Sequence, residues 1–311
     1  MLRYVLRRVL QMIPTVLAVA ALIFLIFSVL PGSFASSMTG GGRRALSPEL
    51  VAQINAQFGL DKPLPIRFWD YLVKLVQFDL GISFRTREPV IDLIAARVGP
   101  SVELALAAMG LAAVIGIPLG FLAALRPGSL FDSATMIGAV SGLSMPQFWL
   151  GLILMYVFAL HLGWLPSFGY GDGRLRYLIL PAVALGFAPM ALLARTTRAG
   201  VLEVMSSDHI RTAMAKGDSP SQLVRWHVAR NALVLIVTTL GLQIGSLLGQ
   251  ALVIEKLFAW PGLGSLLVDS VAIRDIPVVQ GTILVIVLWF LVINVLVDLV
   301  YAMIDPRISL R

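Results

Sequence analysis

The chain has 311 residues, a formal net charge of +7 and no cysteine, and 58% of its residues are hydrophobic against 13% charged. Because a soluble domain carries about 25% charged residues, this composition indicates a chain that has lipid as its solvent. The absence of cysteine excludes disulfide frameworks and cysteine-ligated zinc or iron–sulfur sites. The basic residues flank apolar stretches, which is typical of membrane orientation and argues against nucleic-acid binding.

The first apolar stretch, residues 9–30, follows Arg3, Arg7 and Arg8. A basic start before an apolar run also describes a signal peptide, but a signal core has about 7–15 apolar residues and a spanning helix about 20. No small-residue cleavage site follows the run. The sequence therefore predicts an uncleaved first transmembrane helix within residues 1–30, with the N-terminus in the cytoplasm.

Residues 31–100 are more polar and contain short amphipathic patches. Ser47 followed by Pro48 is typical of a helix N-cap with proline at the first helical position. We expect an extracytoplasmic insertion of short helices near the membrane surface. Its arginines and lysines do not oppose this placement, because the positive-inside rule weakens for loops of about 60 residues.

The remaining chain, residues 101–311, contains five further apolar segments. They occupy residues 102–125, 134–160, 177–194, 232–254 and 278–303. If each span crosses the membrane once and the N-terminus is cytoplasmic, the polar segment 195–231 and the C-terminus also lie in the cytoplasm. That segment has more Arg and Lys than Asp and Glu, as the positive-inside rule requires. The sequence predicts an all-α membrane protein with about six transmembrane helices.

No phosphate-binding loop of the form G-x-x-x-x-G-K-[ST] and no G-x-S-x-G motif occurs in the sequence. We therefore expect no catalytic residue, no metal site and no bound nucleotide. Glu103, Glu255 and Asp298 lie near the ends of predicted spans, where we interpret them as residues that reach an interface or cap a helix. Without a carboxylate at a predicted midplane, an ion-coupled carrier is disfavoured.

Uncharged polar residues do occur inside the spans, namely Ser144, Gln147, Gln243, Ser246 and Gln250. Gln243 and Gln250 are seven residues apart and share one helix face. These side chains either line a polar pathway or hydrogen-bond between helices. Three glycines on the same predicted span recur at every fourth position and predict close approach to another helix. They are Gly241, Gly245 and Gly249.

The cytoplasmic segment 201–231 contains a helix–glycine–helix pattern. Ile210, Ala213 and Met214 form one apolar helical stripe, and Gly217 ends that helix at a C′ position. A second helix is predicted from Ser219 as N-cap. Pro220 follows at the first helical position, and Gln222 completes a capping box. Its apolar side is predicted to be Leu223, Trp226 and His227. Such a projecting element either docks against a partner, which we favour, or is an ordinary folded loop.

This segment resembles the cytoplasmic coupling loop of ABC importer permeases. The general pattern of that family is Glu-Ala-Ala, three residues, Gly, nine residues, Ile, one residue and Leu-Pro. In this chain only the alanine, Ala213, and the glycine, Gly217, match that pattern. The strings R-T-A-x-A-K-G at 211–217 and H-x-x-R-N-A-L at 227–233 are instead typical of the peptide and nickel branch. The resemblance implies that eleven residues of this loop couple the permease to its ATPase. They are Asp208, Arg211, Thr212, Ala213, Lys216, Gly217, Ser219, Pro220, His227, Arg230 and Asn231.

The resemblance extends over nearly the whole chain and is closest to the first permease of that branch. It includes FGLDKPLPIRFWDYL at 58–72, FDLGISFRTREPV at 78–90, IGIPLGFLAAL at 115–125, SMPQFWLGLIL at 144–154 and WPGLG at 260–264. It implies a bacterial or archaeal plasma-membrane permease that pairs with a second permease. Two cytoplasmic ATPase subunits, which hold ATP and Mg, and an extracytoplasmic substrate-binding protein would complete the importer.

The same resemblance favours di- or oligopeptides as the transported ligand, with nickel chelates, glutathione or another small ligand as alternatives. A membrane scaffold that anchors a cytoplasmic partner is the alternative from a different functional class. An ion-coupled carrier acting alone is a third. Transport by a reconstituted complex that depends on ATP separates the importer from the other two.

Overall fold

The computed structural model describes residues 2–29, 61–171, 175–219 and 222–304. Ser47, Pro48 and Pro220, which the sequence places at helix starts, lie outside these residues. Within the described ranges the structure is helical apart from turns and one isolated β-bridge between Ile82 and Pro89, which confirms the all-α prediction. The helices are α1 Leu2–Val29, α2 Leu64–Val76, α3 Val90–Leu125, α4 Leu130–Ser144, α5 Gln147–Leu154, α6 Leu175–Met205, α7 Asp208–Ala215, α8 Ala229–Leu257, α9 Leu263–Ala272 and α10 Ile276–Ile304.

In the described part of the chain, five of these helices are long and apolar enough to cross a membrane: α1, α3, α6, α8 and α10. α3 and α6 pack side by side in the same direction, because Gly186 lies against Ala108 and Gly120 lies against Ala194. The chain between two parallel helices must return across the membrane. The helices α4 and α5 therefore provide the sixth crossing.

The span predicted from the apolar segment 134–160 is divided into two helices. The chain breaks at Met145 and Pro146, and the helices on either side are bent by 107°. Proline explains the break, because it lacks the amide hydrogen and disfavours a helical conformation in the residue before it. A π-helical turn, Met155–His161, continues α5. Two helical arms of about 15 residues each, bent symmetrically at this angle, measure about 27 Å from end to end, which is close to the thickness of a bilayer core.

The second span begins earlier than its sequence indicates. α3 starts at Val90, inside the segment predicted as extracytoplasmic insertion, and runs through Pro100 without ending. Gly99 and Pro100 are usual helix breakers, so the sequence favoured a start at 102. The Trp260 indole nitrogen donates to the Pro100 carbonyl at 2.9 Å, which ties α3 at this point to the W-P-G-L-G string.

Glycines determine how closely the central helices approach. A Cβ on Gly116 would lie 2.5 Å from the Met190 carbonyl oxygen, and a Cβ on Gly120 would overlap the Ala194 backbone. The predicted close contact of α8 is confirmed at Gly245, which lies against Asn294 of α10, whereas Gly249 faces open space. The G-x-x-x-G spacing of α3 is therefore the tighter packing site.

Two buried clusters hold the ends of the helices in place. On the cytoplasmic side, residues from α3, α6, α7 and α8 pack together, among them Ala124, Val201, Ile210, Ala213 and Ile236. At the opposite end, residues from α3, α9 and α10 pack together, and the buried ones are Val90, Ile94, Leu263 and Val278. The first cluster positions the loop that the sequence singled out.

Candidate functional site

The first helix of the cytoplasmic loop ends as its sequence predicts. Gly217 has φ +93°, the left-handed conformation that glycine adopts without a steric penalty. The Asp218 amide donates to the Ala213 carbonyl at 3.3 Å, and the Gly217 amide donates to the Met214 carbonyl at 3.0 Å. These two bonds form a Schellman motif, which satisfies the last carbonyls of α7.

The apolar stripe of α7 divides between the core and the surface. Ile210 and Ala213 are 3% and 6% exposed and pack in the cytoplasmic cluster, whereas Met214 is 50% exposed. Asp208 and Arg211 lie on the exposed side and approach each other at 3.6 Å. Of the predicted coupling residues, Ala213 therefore holds the loop against the helices, while its exposed neighbours are available to a partner.

The second helix begins with the predicted capping box. The Ser219 amide donates to the Gln222 side-chain oxygen at 2.9 Å, and the Gln222 amide donates to the Ser219 hydroxyl at 3.4 Å. Leu223 is buried as expected. Trp226 is 63% exposed, so the predicted apolar side divides between a buried Leu223 and an exposed Trp226. A π-helical segment, Leu223–Val228, displaces the register of the face that a regular helix would bury.

This π-helical segment runs directly into α8, so the second loop helix and the fifth span are one continuous element. The polar residues of the H-x-x-R-N string stabilise the junction. His227 Nε2 lies 3.3 Å from Asp218 Oδ2, which ties the helix to the glycine turn. The Asn231 side chain donates to the His227 carbonyl at 2.7 Å and lies 3.5 Å from His209 of α7.

The solvent-facing side of the loop carries most of the predicted coupling residues. These are Asp208, Arg211, Thr212, Lys216, Gly217, Ser219, Arg230 and Asn231, all exposed. One face of the loop is thus packed on the transmembrane helices, and the opposite face is polar and open. The packed face contacts residues of α6 and α8, so the loop and these two helices share one buried cluster.

Within the membrane, the structure brings together the side chains of three of the polar residues that the sequence singled out. Gln147 at the start of α5 donates to Gln250 of α8 at 2.9 Å, and Gln250 donates to the Ser246 hydroxyl at 3.2 Å. The Ser246 hydroxyl donates to the Gln243 carbonyl at 2.9 Å. Ser144, at the end of α4, instead bonds the Val140 carbonyl of its own helix. The Gln243 side chain takes no part in this network.

Glu255 does not lie exposed at an interface but caps the start of α9, the second of the two roles expected of it. It is 1% exposed. One carboxylate oxygen accepts from the Ser101 hydroxyl at 2.6 Å, and the other accepts from the Gly264 and Ser265 amides at 2.7 and 3.1 Å. A Cβ at Gly262 would overlap the carboxylate, which explains a glycine in the W-P-G-L-G string. The carboxylate thereby fastens the start of α9 to α3 and α8.

The other two acidic residues also have partners. Glu103 accepts a hydrogen bond from the Tyr170 hydroxyl at 2.8 Å, and this bond raises the pKa of Tyr170 above its ordinary value. Asp298 lies 3.0 Å from Arg8 near the predicted cytoplasmic ends of α10 and α1. Both side chains are therefore tied to other elements of the chain.

Two further carboxylates were not identified from the sequence. Asp132 accepts from Arg198 at 2.5 and 2.8 Å and is 3% exposed, which ties α4 to α6 near the cytoplasmic loop. Asp275 accepts from the Ser83 hydroxyl at 2.5 Å and from the Phe84 amide at 3.1 Å. No local pattern marks these pairs, because 66 and 192 residues separate the partners.

No group of three or more metal-ligating side chains occurs among the described residues. The polar groups that the structure does bring together are hydrogen-bonded carboxylates, amides and hydroxyls. Such groups position helices and contact polar ligands.

Comparison with known proteins identifies the family of this chain. Residues 116–310 match the family described as "Binding-protein-dependent transport system inner membrane component", and residues 1–105 match its N-terminal counterpart, "Binding-prot-dependent transport system membrane comp, N-term". Glutathione transport system permease proteins GsiC of Escherichia coli CFT073 and Pectobacterium atrosepticum are 47% and 46% identical over 311 residues, which is 100% of both chains.

Among solved structures, an inward-facing MetNI methionine ABC transporter chain matches with a TM-score of 0.58 at 20% identity, over 68% of this chain and 96% of that one. A second crystal form of MetNI gives 0.57 at 22% identity, over 69% and 97%. These likenesses concern the fold. The full-length relatives and the family matches show that the chain belongs to the binding-protein-dependent inner-membrane transport components, as a multi-pass permease subunit of an ABC importer.

Proposed function

We propose that this permease forms half of a translocation pathway for short peptides and couples it to ATP hydrolysis on separate subunits. The observation that carries the proposal is the cytoplasmic loop. One of its faces packs in the cytoplasmic cluster, its other face is exposed, and its second helix continues into α8.

Continuity makes α8 a lever. From Leu223 to Leu257 the helical chain is about 50 Å long, which exceeds the thickness of the bilayer core. At its outer end Glu255 bonds α9 and α3. A displacement of the loop by closing ATPase subunits would therefore move helix ends on the opposite side of the membrane, in the manner of a rigid-body transition.

The proposal assigns distinct roles to the partners. A second permease completes the pathway, two ATPase subunits bind ATP and Mg, and an extracytoplasmic binding protein delivers the ligand. The segment 31–100 is expected to contact that binding protein. This chain itself performs no catalysis, in keeping with the absence of a phosphate-binding loop from its sequence.

Short peptides are favoured as the ligand because the GsiC relatives are named for glutathione, which is itself a small peptide. Glutathione is the specific second candidate, supported by 46–47% identity over the whole chain. Both candidates present amide groups and terminal charges to the pathway. Nickel chelates are a weaker alternative, since they share none of this amide chemistry.

The test is transport into proteoliposomes that contain this chain with its partner permease, ATPase subunits and binding protein. Labelled trialanine, glutathione and a nickel chelate are each supplied with and without ATP. Uptake of a peptide that requires ATP and all partners supports the proposal. ATP-dependent uptake of the nickel chelate alone would remove the peptide assignment. Assembly of the complex without transport of any ligand would favour the scaffold.

A further inference from the structure

The break between α4 and α5 lies deep in the membrane. Gln147, the first residue of α5, approaches the Leu185 carbonyl within 3.5 Å. Leu185 is near the middle of the apolar part of α6, which runs from its start to the arginines at 195 and 198. The non-helical residues Met145 and Pro146 are therefore at membrane depth. Non-helical backbone is tolerated there only when protein covers it or when it lines a water-filled cavity.

This break is open on one side of the described structure. Ser144 and Pro146 are exposed, Phe148 is 49% exposed, and Gln250 of α8 is exposed beside them. A Cβ on Gly249 would contact nothing within 4 Å, so α8 is also open at the residue that precedes Gln250. The break and the amides thus share one accessible surface between α4, α5 and α8.

The amide groups on this surface have hydrogen-bonding capacity left over. The side-chain amino group of Gln147 donates to the Gln250 side-chain oxygen and to the Leu185 backbone carbonyl. That carbonyl lacks its usual helical donor, because residue 189 is a proline without an amide hydrogen. Within the described residues, the side-chain oxygen of Gln147, Oε1, accepts no hydrogen bond. Gln250 donates one bond, to Ser246, and has a second amino hydrogen. Burying such groups against lipid or an apolar helix leaves them without hydrogen-bond partners, which is unfavourable, so water or a polar ligand is favoured.

We propose that Ser144, Gln147, Ser246 and Gln250 form a ligand-contact site on the translocation pathway that binds the backbone amides of a passing peptide. All four side chains are neutral. Together they keep acceptor oxygens, on Gln147 and the two serines, and one donor, on Gln250, that match the two sides of a peptide group. A site of this kind accepts peptides of different side chains, because it reads the amides that all of them share. This inference rests on the proposed function.

The test uses single cysteines, since the native chain has none. Ser144→Cys and Gln250→Cys are placed in the complete complex, with Val114→Cys as control. Val114 is 74% exposed on α3, where lipid or a partner helix is expected to exclude water. The rate of reaction with a charged methanethiosulfonate is measured in proteoliposomes with binding protein and a non-hydrolysable ATP analogue. The ligand is whichever of trialanine and S-methylglutathione the wild-type complex transports.

The expected result is that both pathway cysteines react at least about tenfold faster than Val114→Cys, because a thiol in lipid does not form the reactive thiolate. At a ligand concentration a few times its Kd, the ligand is expected to slow their reaction about threefold to tenfold, because a bound peptide shields the thiol from the reagent. Unreactive cysteines at both positions would show that the partner permease or lipid covers the surface and would overturn the site. Reactive cysteines that no ligand protects would overturn it as well.

Failure of this inference is distinguishable from failure of the proposed function. If the wild-type complex transports a peptide but the cysteines are unreactive or unprotected, the importer assignment stands and the contact site is wrong. If the wild-type complex transports neither trialanine nor S-methylglutathione, the peptide assignment fails and the contact site fails with it.

Discussion

Gly217 provides a direct test of whether the cytoplasmic loop couples the permease to its ATPase. Gly217→Ala adds one methyl group at φ +93°, and a Cβ there would contact nothing within 4 Å. The change therefore introduces no clash, and its whole effect is on the backbone. A left-handed conformation costs an alanine about 1–2 kcal/mol.

That energy changes the ratio of ordered to altered turn by a factor of about 5–30. The span helices do not depend on this turn, so the protein is expected to insert and assemble. ATPase subunits should then bind more weakly, or hydrolyse ATP with less ligand moved per ATP. Both quantities are measured in proteoliposomes that contain the complete complex.

Gly128 is a matched control. It has φ +77°, its Cβ would also contact nothing within 4 Å, and it lies in the other cytoplasmic turn, between α3 and α4. Gly128→Ala has the same backbone cost, and its amide can still donate to Asp132. Ligand moved per ATP should fall for Gly217→Ala and stay near the wild-type value for Gly128→Ala. Equal values for the two variants would refute the coupling role of the loop.

Glu255→Ala removes an acceptor of three hydrogen bonds from a buried position, and because each donor left unpaired costs about 1–3 kcal/mol, the thermal unfolding midpoint in detergent should fall clearly. Lys256→Ala breaks only an exposed ion pair, worth under about 1 kcal/mol, and should hardly change that midpoint. Gly120→Val forces a side chain into the α6 backbone and should abolish the monodisperse peak in size-exclusion chromatography, whereas Gly110→Val, with nothing within 4 Å of its Cβ, should keep it. The purified chain alone should show no saturable ATP binding in a filter assay, and saturable binding would contradict its role as a non-catalytic subunit.

Much of the architecture follows from the sequence, because hydropathy and charge act along the chain. The apolar segments identify the spans, and the basic residues between them give the orientation. The coupling loop is predictable for a similar reason. Its Schellman motif and capping box join residues three to five positions apart, so the local order of Gly217, Ser219 and Gln222 determines the bonds.

The tertiary structure alone decided the features that depend on how the helices pack. The 107° break after Ser144 divides the span over 134–160 into two helices, and a proline permits such a break but does not determine its angle. Gln147 and Gln250 are 103 residues apart, and Glu255 and Ser101 are 154 apart. No pattern within one helix contains such a pair. Burial then changes the role of Glu255. At the exposed end of a span its carboxylate would lie at an interface, but because α3 and α9 surround it, the carboxylate accepts hydrogen bonds that join three helices.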